Sequence, residues 1–353
     1  MLKISTKSTR NYGLDILRIL TMYMVVILHI FGHGGVRDAC ERFSTNYYLT
    51  WFLTGLCYCA VNVFGMLTGY LMVDRKFNVF KIVPLYLTVL FYSAIITILF
   101  KFTPPLMWLH KVSYGELIKG ICFPVTSRQY WYFTCYFALY FFIPFINRSL
   151  CSLNKKEYKI LCFSILILFS LLPLLCLGRI DSFSIGGGYT VIWLVCLYIV
   201  GGYLKLHPIK IKKTKCVLLY LICIFLAWFS KFASHMVIKY LFKKSTELDL
   251  FFSYTSIFII FAAVALLLLF LQITIKRKLI QRIISFISAL SFSVYIIHEH
   301  PLVRDYIIQN KFSYLSIDNP ILLACKVIVF AFLIFVTCFF IDLIRLLLFK
   351  ALD

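Results

Sequence analysis

Long apolar segments recur along the whole chain and are separated by shorter polar stretches rich in Lys and Arg. About 20 predominantly apolar residues allow a helix to cross the hydrocarbon core of a bilayer. Ten segments of roughly this kind are present, so the pattern predicts an all-α integral membrane protein with about ten transmembrane helices. The predicted spans are 14–33, 48–72, 79–100, 130–147, 160–178, 188–204, 216–235, 251–272, 283–298 and 321–345.

The amino-acid composition also indicates that the partner of the apolar segments is the lipid bilayer. Hydrophobic residues make up 62% of the chain and the mean hydropathy is +0.92, whereas soluble domains contain about 45–50% apolar residues. A net charge of +22 would suggest nucleic acid in a soluble protein. Here the basic residues cluster between apolar runs, as in cytoplasmic loops, so we expect no nucleic-acid partner. The 13 cysteines are scattered without a CxxC pair, which favours buried thiols over disulfides.

The distribution of Lys and Arg predicts the orientation of the chain. With the N-terminus inside, 21 of the 36 basic residues fall in inner segments and 13 in longer outer segments. Cytoplasmic loops carry the excess of positive charge, and an even number of helices returns the chain to the same side. We therefore expect both termini in the cytoplasm. Because no soluble domain interrupts the apolar runs, we treat residues 1–353 as a single membrane domain.

Two ionisable residues, Arg18 and His29, lie inside the first apolar segment. Ionisable side chains within a span are costly and are functional candidates by default. Eleven helical steps of about 100° place both on one helix face, about 16 Å apart along the axis. The pair could form the two ends of one elongated site. The alternative interpretation is that Arg18 snorkels to the lipid headgroups and that His29 is an ordinary interfacial histidine.

These residues resemble the hallmark of the acyltransferase-3 family of bacterial integral-membrane acyltransferases, a basic residue in the first helix followed after ten residues by a histidine. The entry to that helix, 14–18, also resembles the family pattern. Three further segments resemble family motifs and occur in the right order: 63–71, with Thr68 in place of the usual serine; 130–144; and 291–298. The resemblance covers essentially the whole chain.

The resemblance implies a multi-pass enzyme of the bacterial cell membrane. Such an enzyme transfers an acyl group, usually acetyl from acetyl-CoA, to a hydroxyl of a glycan. The compact chain looks most like members that modify capsule, exopolysaccharide or O-antigen units. On this reading, acetyl-CoA is a co-substrate, and the acceptor is a glycan or a lipid-linked glycan.

The expected donor site begins at Arg18, where charge-assisted hydrogen bonds could hold the CoA phosphates. The thioester would then reach His29, which suits the role of general base or of transient acyl carrier. Asp15 lies three residues before Arg18 on the same face, and we expect an ion pair that holds its side chain. Arg75 and Lys76 could bind further phosphate, although they are more typical of positive-inside topology signals.

The expected acceptor site lies near the outer face. Its candidate residues are Arg128, Trp131, Tyr132 and His298. The two aromatic residues could stack on a sugar ring or belong to an interfacial aromatic belt. The segment His298-Glu299-His300 looks like a metal-ligand cluster, but histidines two positions apart do not share a helix face. We therefore expect no metal and place His298 at a helix end near the outer surface.

Three other functions remain open on the sequence. A transporter or flippase of glycan precursors would share the helix number and the basic inner loops. It would usually show broken helices or paired halves, and it would not depend on acetyl-CoA. A non-catalytic membrane sensor could use the same helical core. A member of the separate membrane-bound O-acyltransferase family would carry its histidine in a late helix, whereas the best candidate here is in the first.

Overall fold

The computed structural model describes residues 10–175, 180–242 and 251–352, and these residues are helical with no strand among them. The α-helices are α1 Tyr12–Phe31, α2 Val36–Ala39, α3 Thr45–Tyr58, α4 Ala60–Met72, α5 Val83–Phe102, α6 Pro104–Leu109, α7 Tyr114–Cys122, α8 Trp131–Ser152, α9 Lys155–Leu166, α10 Leu172–Leu175, α11 Val191–Leu206, α12 Lys213–Phe242, α13 Ile257–Leu271, α14 Lys278–His298, α15 Pro301–Val303 and α16 Pro320–Leu352. Short 3₁₀ or π segments occur at Val79–Ile82, Ile167–Leu171, Gly186–Gly188, Arg304–Ile308 and Ser313–Ile317.

Seven segments of the described chain are long and apolar enough to cross a membrane. They are Tyr12–Ala39, Thr45–Met72, Val79–Phe102, Lys155–Leu175, Lys213–Ser234, Lys278–His298 and Pro320–Lys350. A helix also lies at each of the other three predicted positions, namely α8, α11 and α13. Helices α11 and α13 have 16 and 15 residues, about 24 and 22 Å of rise, which is shorter than a hydrocarbon core of about 30 Å.

The all-α membrane architecture is therefore confirmed, whereas the number of ten crossings and the cytoplasmic position of both termini stay predictions. Residues 176–178 of the predicted span 160–178 lie outside the described residues. The helix α8 is not among the seven candidate spans. Its second half carries Pro144, Asn147 and Arg148, and these residues lower its apolar character.

Helix α1 occupies the centre of the bundle, where it contacts α3, α4, α13, α14 and α16. Its first turn is capped by Asn11, whose side chain accepts a hydrogen bond from the amide of Gly13. The turn after α1 is fastened to the segment that follows α15, because the amide of Asn310 donates to the carbonyl of His33. These contacts bring the last turn of α1 beside the C-terminal end of α14.

Helices α4 and α11 pack at very short distance through two glycines. A Cβ on Gly69 would lie 2.0 Å from the carbonyl oxygen of Tyr198, and a Cβ on Gly201 would lie 1.9 Å from that of Met66. Small residues at such crossings let two membrane helices approach closely. This contact fixes the face of α4 that is turned toward α1 and α8.

Candidate active site

A cavity with several charged and polar side chains in its wall follows α1 between its two ionisable residues. Its volume is about 840 Å³, and its lining includes Arg18, His29, Tyr132 and Glu299. A smaller cavity of about 270 Å³ adjoins it. The residues that line both cavities are Arg18, Phe64, Thr68 and Tyr136. The two cavities therefore meet at Arg18 and together extend beyond both ends of the Arg18–His29 pair.

The smaller cavity is lined by positive charge. It contains Arg18, Arg75, Lys76 and Lys81, and no acidic residue occurs among the described residues that line it. Arg18, Arg75 and Lys76 are candidates from the sequence, and the structure adds Lys81, which lies in the 3₁₀ segment Val79–Ile82. A group of four cations at one cavity is suited to a ligand with several phosphates, because charge-assisted hydrogen bonds to phosphate are short and strong.

The side chain of Arg18 is held by a buried carboxylate, as the sequence predicted. Asp15 is only 2% exposed, and its Oδ1 accepts a hydrogen bond from Nη1 of Arg18 at 3.1 Å. Its Oδ2 accepts from Nε of Arg10 at 2.6 Å, and the hydroxyl of Ser288 donates to Oδ1 at 3.3 Å. Two arginines and a hydroxyl thus share one carboxylate, which fixes the guanidinium of Arg18 at the junction of the cavities.

At the other end of the cavity, His29 contacts the end of α14. Its Nδ1 lies 2.8 Å from Nε2 of His298 and 3.1 Å from Oε2 of Glu299. His33 lies one turn further on, with its Nε2 3.7 Å from the same carboxylate oxygen. The second oxygen of Glu299 is 3.4 Å from Nη1 of Arg304. This part of the site joins residues almost 270 positions apart in the chain.

The hydrogen bonds assign the protons on the two histidines. Nδ1 of His298 is hydrogen-bonded to the carbonyl oxygen of Val294, which can only accept, so Nδ1 carries the proton and Nε2 carries a lone pair. That lone pair accepts from Nδ1–H of His29. The remaining nitrogen of His29, Nε2, is then the basic atom, and His29 lines the cavity. Two hydrogen bonds therefore set one tautomer at the candidate base.

Glu299 was not a candidate in the sequence analysis, although it is central here. It is 4% exposed, and its Oε2 has no hydrogen-bond donor among the residues that the structure describes. The contact with Nδ1 of His29 is close, but that N–H is directed at His298. A buried carboxylate beside an imidazole stabilises the positive charge that appears when the imidazole takes up a proton.

The segment 298–300 divides between two sites. His298 is 2% exposed and lies behind His29, not at the outer surface where the sequence analysis placed it; it is not among the cavity-lining residues. His300 points elsewhere: its Nδ1 accepts from the amide of Leu302, and its Nε2 lies 3.5 Å from Oγ1 of Thr97. Burial lowers the pKa of His300 to about 3. The two histidines diverge as expected, but His298, Glu299 and His29 together offer three metal-ligand atoms within 4.8 Å of one another.

The aromatic candidates belong to the cavity wall. Trp131 and Tyr132 both line the larger cavity. The ring of Trp131 lies 4.5 Å from that of Tyr189 and nearly parallel to that of Tyr254 at 6.0 Å, centroid to centroid. Tyr189 and Tyr254 also line the cavity. Neither is a candidate on sequence alone, since each lies in a loop that is distant from α8 along the chain. Together these rings form a surface on which a sugar ring can stack.

Arg128 has a different position. Its backbone is left-handed, with φ of 55°, and its Nη2 donates to the carbonyl oxygen of Tyr189 at 3.1 Å. It is not among the residues that line either cavity. Its guanidinium therefore links the loop before Trp131 to the loop that carries Tyr189, and it contacts the aromatic wall from outside.

Fold and site define a polytopic helical membrane protein with a cavity that runs along its first helix from a cation cluster to a histidine pair. The model of an acyltransferase domain, that of acyltransferase family 3, matches residues 11–341. The chain belongs to this family. Searches of curated proteins and of solved structures gave no significant match.

Proposed function

We propose that this protein is a membrane O-acyltransferase that moves an acetyl group from cytoplasmic acetyl-CoA to a hydroxyl of a cell-surface glycan. Membership of the acyltransferase family and the membrane-like helical fold support the general class. The observation that carries the more specific proposal is the continuous cavity that joins the cations near Arg18 to the basic nitrogen of His29. We place the protein in the bacterial inner membrane, as a multi-pass chain.

The donor enters from the side of the cation cluster. The phosphates of CoA bind Arg18, Arg75, Lys76 and Lys81, and Asp15 holds the first of these side chains in place. The pantetheine arm then follows α1 through the larger cavity. Its thin, extended form suits a gap of about 16 Å between Arg18 and His29, and the thioester carbonyl reaches His29.

His29 acts as a general base in this proposal. Its Nε2 takes the proton of the acceptor hydroxyl while that oxygen attacks the thioester carbonyl. The tetrahedral intermediate collapses, the C–S bond breaks, and the proton on His29 passes to the departing sulfur to give CoA thiol and an acetyl ester. During this step the carboxylate of Glu299, 3.1 Å from Nδ1, stabilises the imidazolium. General bases contribute about 10²- to 10⁴-fold to such reactions.

The acceptor occupies the wall opposite α1. The rings of Trp131, Tyr132, Tyr189 and Tyr254 provide stacking faces for a sugar, which is a common use of aromatic side chains with one apolar face and one polar tip. Arg128 keeps two of the contributing loops together. His298 acts through His29 as a positioning residue, since it contacts the base and not the cavity.

The experiment is to measure ester-linked acetyl on surface polysaccharide in cells that express wild type, His29→Gln or Arg18→Ala at matched membrane levels. Matched controls are His110→Gln and Arg148→Ala, two residues that line neither cavity. The proposal predicts acetylation by wild type and both controls and its loss in the two site variants. If no form acetylates and export of polysaccharide changes instead, the transporter alternative replaces the proposal.

A further inference from the structure

The end of α14 and the last turn of α1 contain a set of side chains that matches a zinc site. Nδ1 of His29, Nε2 of His298 and Oε2 of Glu299 lie close together, and the three residues supply ligand atoms within 4.8 Å of one another. Two histidines and one glutamate, with a further position open to water, form a common ligand set for Zn²⁺. The cavity beside His29 provides room for that water.

Two features show that part of this set is already arranged for a metal. Nδ1–H of His298 is donated to the carbonyl oxygen of Val294, which leaves Nε2 with a lone pair. Metal-ligating histidines almost always donate their other N–H in this way. The second feature is Oε2 of Glu299, which is buried and has no hydrogen-bond donor within the described parts of the chain. Arg304 contacts only the other oxygen of this carboxylate.

The distances require a small rearrangement. Two nitrogens bound to one tetrahedral Zn²⁺ at about 2.0–2.1 Å lie about 3.3 Å apart, whereas Nδ1 of His29 and Nε2 of His298 are 2.8 Å apart. The imidazoles must therefore separate by about 0.5 Å. Metal binding gives a ligand bond to Oε2 of Glu299, which has no hydrogen-bond donor among the described residues. Two metal–nitrogen bonds replace the hydrogen bond between the histidines.

We propose that this cluster binds Zn²⁺ or a similar divalent transition metal, and that the bound metal inhibits the enzyme. The inhibitory part rests on the proposed function. To bind metal through Nδ1, His29 must lose its Nδ1 proton, and solvent returns a proton to Nε2. The net protonation of His29 is unchanged, but its tautomer is reversed. Nε2–H then faces the cavity, and no lone pair is left to accept the proton of the acceptor hydroxyl.

The binding experiment uses the full chain, purified in detergent and freed of metal with a chelator. Co²⁺ is the probe, because tetrahedral Co²⁺ absorbs strongly in the visible region. Zn²⁺ is colourless, so the absorbance disappears when Zn²⁺ displaces Co²⁺. Wild type is expected to show this spectrum. His298→Gln and Glu299→Gln are expected to weaken binding by at least about 100-fold, the upper end of what loss of an outer-shell partner costs. His300→Gln is the matched control and is expected to bind as wild type does, since His300 faces Thr97.

A wild type without the tetrahedral spectrum, or His298→Gln and Glu299→Gln variants that both bind Co²⁺ as tightly as wild type does, would overturn the metal site. Two variants are used so that poor folding of one leaves the test intact. The second readout is acyl transfer in wild type with Zn²⁺ at ten times its Kd, where we expect a loss of about tenfold that chelator restores. Transfer that is insensitive to saturating Zn²⁺ overturns the inhibition. If Co²⁺ binds but no acyl transfer occurs under any condition, the proposed function fails while the metal site stands.

Discussion

The replacement Glu299→Gln tests how the site stabilises a protonated His29. The change keeps the size of the side chain and removes its charge. Oε2 lies 3.1 Å from Nδ1 of His29, and Coulomb's law at an effective dielectric constant of about 20 gives about 5 kcal/mol for unit charges at that distance. Arg304, 3.4 Å from the other oxygen, offsets part of this attraction. Because Nδ1–H of His29 is directed at His298, the carboxylate acts through its charge, and we adopt a net contribution of about 1.5–3 kcal/mol, the range found for contacts with a charged group.

A loss of about 1.5–3 kcal/mol of transition-state stabilisation corresponds to a fall of about 10- to 150-fold in kcat. The assay is acetyl transfer in membrane vesicles with radiolabelled acetyl-CoA over a range of concentrations. KM for acetyl-CoA should stay near the wild-type value, because Glu299 lies at the far end of the cavity from Arg18. The matched control is Asp305→Asn, which removes the other carboxylate bound to Arg304 without contacting His29. If Glu299→Gln kept the wild-type kcat, or if kcat of Asp305→Asn fell equally, Glu299 would not stabilise protonated His29 in the way proposed.

Three further predictions address the donor site, the packing and the pH dependence. Asp15→Asn should raise KM for acetyl-CoA about tenfold with little change in kcat, because the carboxylate that orients Arg18 is lost; saturation kinetics measure this, and an unchanged KM would contradict it. Gly69→Ala should destabilise the protein by about 1–3 kcal/mol through overpacking, seen as a lower melting temperature in detergent, whereas Gly115→Ala, whose added carbon meets nothing closer than 4.0 Å, should not. Burial lowers the pKa of His300 to about 3, so as the pH falls below about 6.5 only the unfolded state takes up this proton and the folded state loses stability. Between pH 8 and pH 5, the free energy of unfolding of His300→Gln should therefore fall by about 2 kcal/mol less than that of wild type. Melting temperatures of the two proteins that change in parallel with pH would contradict this.

The part of the site on α1 could be predicted because it is local in sequence. Arg18 and His29 share a helix face through the 3.6-residue period, and Asp15 reaches Arg18 because residues three apart are neighbours on a helix. The cavity that joins Arg18 to His29 has the predicted direction. The helices also lie where the apolar segments predicted them, although α11 and α13 are shorter than the helices that are long enough to cross a membrane.

The part of the site around His298 and Glu299 could not be predicted in the same way, because it depends on contacts between distant segments. Nothing in the local pattern indicates that His298 and Glu299 lie against His29, since this requires the packing of α1 on α14. The available signal was the polar pair itself, which comes directly at the end of an apolar helix. Residues 298 and 300 do not share a helix face, and nothing local in the sequence indicates that His29 on α1 lies beside His298 and Glu299 as a third candidate source of metal-ligand atoms.

The proposed role of His29 as general base is tested most directly by the kinetics of acetyl transfer by His29→Gln in membrane vesicles supplied with radiolabelled acetyl-CoA. If Nε2 of His29 is the general base at the end of a donor cavity that begins at Arg18, kcat should fall by about 10²- to 10⁴-fold while KM for acetyl-CoA changes little. A His29→Gln variant that folds, reaches the membrane and transfers acetyl at the wild-type rate would show that His29 is not the general base.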